Sequence, residues 1–185
     1  MSYARAREIV LSMFPPGSTG AEIGVWQGDL SAEILRRARP GLLHLIDPWQ
    51  ARDDVSHREA WYSADRGIDV DGVYAAVCTR FAEQIADGSV VIHRAPSTEA
   101  LAAMKDNSLD WIYIDGDHSF DAVSADLDSA YRVVKPGGLI CADDYRLGKW
   151  WGDGVVSAVN AFIGANASAL ELRFSANTQV VLKKL

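Results

Sequence analysis

Apolar and polar positions along this chain follow two alternating rhythms. At the N-terminus, Ala6, Ile9, Val10 and Met13 recur at helical spacing, predicting a leading helix over residues 2–13 that Pro15-Pro16-Gly17 ends. Short apolar runs with strand character follow at 21–25, 42–46, 89–93, 111–114 and 138–142. Between them, helical patterns cover 30–37, 73–85, 98–104 and 120–134, and a turn at Lys135-Pro-Gly-Gly138 leads into the fifth strand. A helix over 155–163 and two late strands, 170–174 and 179–182, complete the chain. Strands alternating with helices predict an α/β fold with a mostly parallel sheet and helices on both faces. The short Ser175–Thr178 turn makes the last two strands an antiparallel hairpin at one sheet edge. Residues 49–70 break the rhythm: they are polar, carry Trp49, Trp61 and Tyr62, and read as a lid or substrate loop.

Composition narrows the class. The 185 residues, 49% hydrophobic, suit a single domain with one substantial core. Eighteen basic against twenty-five acidic residues give a net charge of −7, and no dense Lys/Arg run suggests a nucleic-acid partner. No apolar run approaches the ~20 residues of a membrane span. Arg5, Arg7 and the apolar 9–11 stretch make a poor signal peptide, because Glu8 interrupts them and Pro15-Pro16 follows. Cys78, on a helix, and Cys141, in a strand, read as buried and reduced. A cytoplasmic protein is the expectation.

The chemistry gathers at strand ends. The 111–114 strand runs directly into Asp115-Gly116-Asp117-His118, and the 138–142 strand ends in Asp143-Asp144. In an open parallel sheet, ligands bind outside the carboxyl ends of the strands. Carboxylates crowded there repel one another unless a divalent metal or another cation lies between them. The first strand-to-helix turn, Glu22-Ile-Gly24-Val-Trp-Gln-Gly28, lets backbone approach a ligand at a helix N-terminus. Trp26 stands where a dinucleotide fingerprint has its middle glycine. Glu22 adds an acid to the same pocket, favouring a cationic cofactor. Asp47, ending the second strand, suits the two ribose hydroxyls of a nucleoside, or else caps the turn before Pro48. Asp110 is at the wrong end of its strand for chemistry, His44 and His93 read as packed strand residues, and His57 is in the loop.

The combination Glu-x-Gly-x-x-x-Gly, an acid ending strand two and a late Pro-Gly-Gly resembles class I S-adenosylmethionine-dependent methyltransferases. Ile114-Asp-Gly-Asp-His-Ser119, Ala142-Asp-Asp-Tyr145 and Trp151-Gly-Asp-Gly-Val155 are similar to a small branch near the metal-dependent sugar and catechol O-methyltransferases, over residues 19–185. The resemblance implies a Rossmann-like seven-stranded sheet with the first strand central. It implies that Glu22, Gly24 and Gly28 line the methionine end of the cofactor, Asp47 holds the ribose, Ala95, Ser97 and Thr98 lie by the adenine, and Asp115 approaches the methyl. Asp115, Asp143 and Asp144 match the relatives' metal ligands, with Mg²⁺ the ion expected of oxygen-only ligands. The catechol enzymes have Asp-Asn where this chain has Asp143-Asp144, and a lysine base where it has His118. These acids could instead bind substrate or cap helices without any ion.

The reaction implied is transfer of a sulfonium methyl to a hydroxyl of a small molecule such as a sugar, polyketide or phenol. His118, whose unperturbed pKa of about 6.5 suits a general base, is the first candidate to take the proton, and Asp117 the competitor. Trp150 and Trp151 would wall the substrate pocket or simply pack. Two other readings stay open: an NAD-dependent dehydrogenase, and a nucleoside-binding protein without catalysis. A homo-oligomer would form through the leading helix or the 49–70 stretch.

Overall fold

The computed structural model describes residues 1–51, 67–148 and 151–185. Helix α1 (Tyr3–Ser12) starts at Ser2, whose hydroxyl accepts the Arg5 N–H, and precedes strand β1 (Thr19–Ile23). Then come α2 (Asp29–Arg37), β2 (Leu42–Ile46), α3 (Val70–Arg80), α4 (Ala82–Ala86), β3 (Val90–His93), α5 (Ser97–Ala102) and β4 (Leu109–Ile114). The remainder is α6 (Phe120–Val133), β5 (Val134–Ala142), α7 (Gly154–Ala165), β6 (Leu170–Ala176) and β7 (Gln179–Lys184). One seven-stranded sheet has the order β3-β2-β1-β4-β5-β7-β6. Strands β1 to β5 pair in parallel, while β7 pairs antiparallel with both β5 and β6. The edge hairpin is therefore present, and β1 is interior, although the middle place belongs to β4.

Period-two alternation along the strands divides the core between the two faces. On β4, Trp111 and Tyr113 face the side covered by α1, α2 and α3, where Val10, Leu11, Phe14, Leu30, Ile34, Val77 and Phe81 are buried. Ile112 and Ile114 face α5, α6 and α7, with Leu101, Val123, Leu127, Val155, Val159 and Phe162. Because both faces are covered, the central strands read as nearly continuous apolar runs.

Three boundaries differ from the pattern. The expected 73–85 helix is two helices broken at Phe81, whose ring turns into the core and whose backbone leaves helical geometry. Strand β5 begins at Val134, because the Lys135–Gly138 segment stays in the sheet through a register shift opposite Leu109/Trp111. Cys78 is only half-buried on α3, whereas Cys141 is fully buried; both are free thiols. Asp110 holds the sheet's opposite end, accepting from the Thr19 N–H (2.7 Å) and pairing with Lys135 (2.6 Å).

The segment after α1 is pinned by Phe14, whose ring stacks on Trp111 at 4.0 Å and 2°, while the Trp111 indole N–H donates to Ser18 Oγ (2.8 Å). Phe14→Ala should lower unfolding stability by about 3–5 kcal/mol, the usual cost of emptying a buried phenylalanine site. Urea denaturation measures this, and a loss under ~1 kcal/mol would mean that the stack does not hold the segment.

Candidate active site

The carboxyl ends of β1, β2 and β4 open onto a cleft of about 310 Å³. Its walls include Gly24, Trp26, Asp47, Trp49, Ser97, Thr98, Asp115, Asp117 and Asp126, with Ile23, Ile46, Pro96 and Ala122 as apolar surface. Small-molecule sites typically have about 300–1,000 Å³, mostly apolar walls and a few placed polar groups, and this cleft fits that description.

Two glycines shape its floor. Gly24 has φ +87, and a Cβ there would sit 2.0 Å from the Asp115 carbonyl oxygen, so the ends of β1 and β4 meet only if no side chain intervenes. Gly28 has φ +77 and begins α2; its missing side chain leaves room for the Phe81 ring rather than for a ligand. Trp26 takes φ +50 without being glycine. Its turn is tied by Asp47, whose Oδ2 accepts the Val25 and Trp26 N–H groups (3.0 and 2.9 Å) and whose Oδ1 accepts that of Trp49 (2.7 Å). The Trp49 indole closes the loop by donating to the Trp26 carbonyl (2.9 Å). Asp47 thus both ties the turn and lines the cleft. Burial raises its pKa, against the pull of the three backbone donors.

Of the residues expected around a cofactor, Gly24, Asp47, Ser97, Thr98 and Asp115 line the cleft, whereas Glu22, Gly28 and Ala95 do not. Glu22 is fully buried on the α2 side of β1, where the Ser31 hydroxyl donates to it (2.5 Å), and burial pushes its pKa up to about 8. Ala95 packs against the core. Asp126, on α6, was not singled out by the sequence. It accepts from the Ser97 hydroxyl inside the cleft, and burial raises its pKa to about 6. Its signal was an acid at a core-facing position of an amphipathic helix.

The acid edge lies beside this cleft. His118 Nε2 is 2.9 Å from Asp144 Oδ2 and 3.8 Å from Asp115 Oδ1, and the Trp151 ring lies 4.7 Å from the imidazole. Burial lowers the His118 pKa, but the Asp144 hydrogen bond and the charges of Asp115 and Asp144 outweigh it and raise the pKa above 6.5. Asp115 is pushed well above the carboxylate range, first by desolvation and then by the nearby Asp143 charge. Asp117 Oδ1 accepts the Ser119 N–H (2.8 Å) ahead of α6.

Asp143 does not join Asp115 and Asp144 as an open ligand. Its Oδ2 accepts from Tyr3 (2.7 Å), Tyr113 (2.9 Å) and Arg7 (2.8 Å), and its Oδ1 from Thr178 (2.8 Å), Gln179 (2.5 Å) and the Asp144 N–H (2.7 Å). A carboxylate has about four lone-pair sites, so none is left for an ion. The group that does converge among the described residues is Asp115, His118 and Asp144, with one ligand atom from each within 4.8 Å. Asp144 Oδ1 is held by Arg146 Nε at 3.0 Å, and an imidazole replaces one oxygen, so the donor set does not fit the oxygen-only octahedron of Mg²⁺. Trp150, His57 and most of the 49–70 loop, including Trp61 and Tyr62, lie outside the described residues; Trp49, Gln50 and Val70, at its ends, line the cleft.

Residues 21–145 match the family model of the methyltransferase domain, about two thirds of the chain and all of the acid edge. The chain belongs to this methyltransferase family. It is an S-adenosylmethionine-dependent enzyme of class I, which removes the nicotinamide reading. The methyltransferase superposes with a TM-score of 0.67 on SMU.1697c of Streptococcus mutans, a candidate methyltransferase solved in complex with SAH; identity is 10%, over 100% of this chain and 99% of that one. The O-methyltransferase NovP is 23% identical, with a TM-score of 0.65 over 97% and 76% of the two chains. A candidate rRNA methylase of Clostridium thermocellum gives 0.67 at 13% identity over 100% and 97%. These likenesses show a shared fold. A 57-residue stretch is 39% identical to the uncharacterized protein R132 of Acanthamoeba polyphaga mimivirus, covering 31% of the methyltransferase and 25% of that protein. No helix among the described residues is long and apolar enough to cross a membrane.

Asp47→Asn should weaken S-adenosylhomocysteine binding by about one to two decades, because hydrogen bonds to a charged acceptor are worth about 1.5–3 kcal/mol. Calorimetric titration measures it. Wild-type affinity in a folded variant would leave Asp47 as a turn former only.

Proposed function

We propose that this methyltransferase transfers a methyl group to a hydroxyl oxygen of a small molecule, with His118 as the general base. The observation that carries the reading is the His118–Asp144 pair at the cleft edge: a partly buried imidazole, oriented by a carboxylate, beside the residues that line the cleft. S-adenosylmethionine supplies an electrophilic methyl on a positively charged sulfur. The chain's work is then alignment, water exclusion and proton removal. Trp26, Trp49 and Asp47 hold the nucleoside portion, and Ser97 and Thr98 line the same cleft. Asp115, at the β4 end, lines the same cleft beside the methyl donor.

Neutral His118 accepts the hydroxyl proton while Asp144 steadies the imidazolium that forms. Asp117 stays the competing base, since it borders the same recess. Net charge −7 and an acidic site edge favour an uncharged or cationic hydroxylated acceptor over nucleic acid. Residues 1–185 would act as one domain.

Because the His118 pKa is raised, the active neutral form is lost as pH falls through a value above 6.5. Turnover in a panel of phenolic and sugar acceptors should show that acid limb. His118→Ala should lower kcat by about two to four orders of magnitude and abolish the limb. An unchanged profile in the variant would transfer the role to Asp117. Methylation of amines or RNA, with hydroxyl acceptors inert, would contradict the reading.

A further inference from the structure

We propose that Arg7, carried by the N-terminal helix, is the fixed cation of the acid edge and does there what a divalent ion would do, so that this methyltransferase works without a metal. The proposal deepens the methyl-transfer reading, but its evidence is the arrangement of charge. Asp115 and Asp143 end adjacent parallel strands, and two carboxylates side by side there need a positive group between them. One guanidinium fills that place: Arg7 Nη2 is 2.8 Å from Asp143 Oδ2 and 3.7 Å from Asp115 Oδ2. The third acid, Asp144, has His118 on one oxygen and Arg146 on the other. Asp143 and Asp144 therefore each have a cationic partner within the chain, and Asp115 lies 3.7 Å from the same Arg7 guanidinium.

The arrangement is built. Tyr3 and Arg7 lie one helical turn apart on α1, the guanidinium stands over the Tyr3 ring at 4.5 Å, and it also hydrogen-bonds the Tyr3 hydroxyl, which in turn donates to Asp143. The Asp143 side chain is 1% exposed and that of Arg7 19%. An ion on Asp143 would have to displace one of six donors and sit beside a guanidinium that cannot lose its charge. Arg7 lies outside residues 21–145, the part of the chain that the family model matches, so the cation is contributed by the segment that precedes the shared domain.

The test is Mn²⁺ titration of the full chain, with and without saturating S-adenosylhomocysteine, read by electron paramagnetic resonance and paired with thermal unfolding of Arg7→Lys and Arg7→Gln. The wild type should leave the free Mn²⁺ signal unchanged at millimolar ion. Arg7→Lys, which keeps the charge, should melt close to the wild type and stay blind to the ion. Arg7→Gln should melt lower by roughly 10 °C, since it strands buried carboxylates. Should Arg7→Gln fail to fold, that too supports the role, provided that Arg7→Lys folds. Stoichiometric Mn²⁺ binding by the wild type, or an Arg7→Gln variant as stable as the wild type, would overturn the proposal. None of these readouts needs an acceptor, so a wrong acceptor class would leave them standing.

Discussion

A buried carboxylate that cannot be left alone governs the architecture around this site. Asp143 is 3% exposed, and an uncompensated charge there would cost several kcal/mol. Satisfying it takes side chains from α1 (Tyr3, Arg7), from β4 (Tyr113) and from the start of β7 and the residue before it (Gln179, Thr178). The antiparallel β7 can supply Thr178 and Gln179 because it runs back alongside β5, and α1 can supply Tyr3 and Arg7 because Phe14 pins the following segment to Trp111. The same network extends to the proposed base. By accepting the Asp144 N–H, Asp143 holds a turn in which Asp144 has φ +52 and reaches His118.

The cleft beside it is organised by a second acid in a similar way. Asp47 gathers three N–H groups from the turn that contains Trp26 and from Trp49, which lets two tryptophans stand at a cleft wall in left-handed backbone geometry. Both acids accept backbone amides and also border a recess at the sheet's edge. That double use is why substituting either should affect folding and binding together.

Much of this was readable from the residues because it is local. Period-two and period-3.6 patterns placed the strands and major helices, and the parallel-sheet rule sent Asp47, Asp115 and Asp144 to one edge. What escaped depends on distant partners. Arg7 and Tyr3 meet Asp143 across well over a hundred residues, and a lone arginine near an N-terminus carries no mark of that. An acid ending a strand looks the same in sequence whether it faces a cleft, as Asp115 does, or vanishes into donors, as Asp143 does. Glu22 illustrates the same blindness: strand alternation turned it away from the cleft and under α2. The break at Phe81 was hidden because apolar residues keep helical spacing straight through it, at Val73, Val77, Phe81 and Ile85.

The dependence of the acid edge on one internal ion pair is open to a direct measurement. A double-mutant cycle combines Arg7→Gln with Asp143→Asn, each stability being taken from urea unfolding of the full chain. Removing either partner alone strands a buried group, whereas removing both leaves two neutral amides in contact. The double variant should therefore be more stable than the sum of the single losses allows, by at least about 1 kcal/mol. Losses that add to within about 0.5 kcal/mol would show that Arg7 and Asp143 act independently, and would contradict the pair as the organising contact.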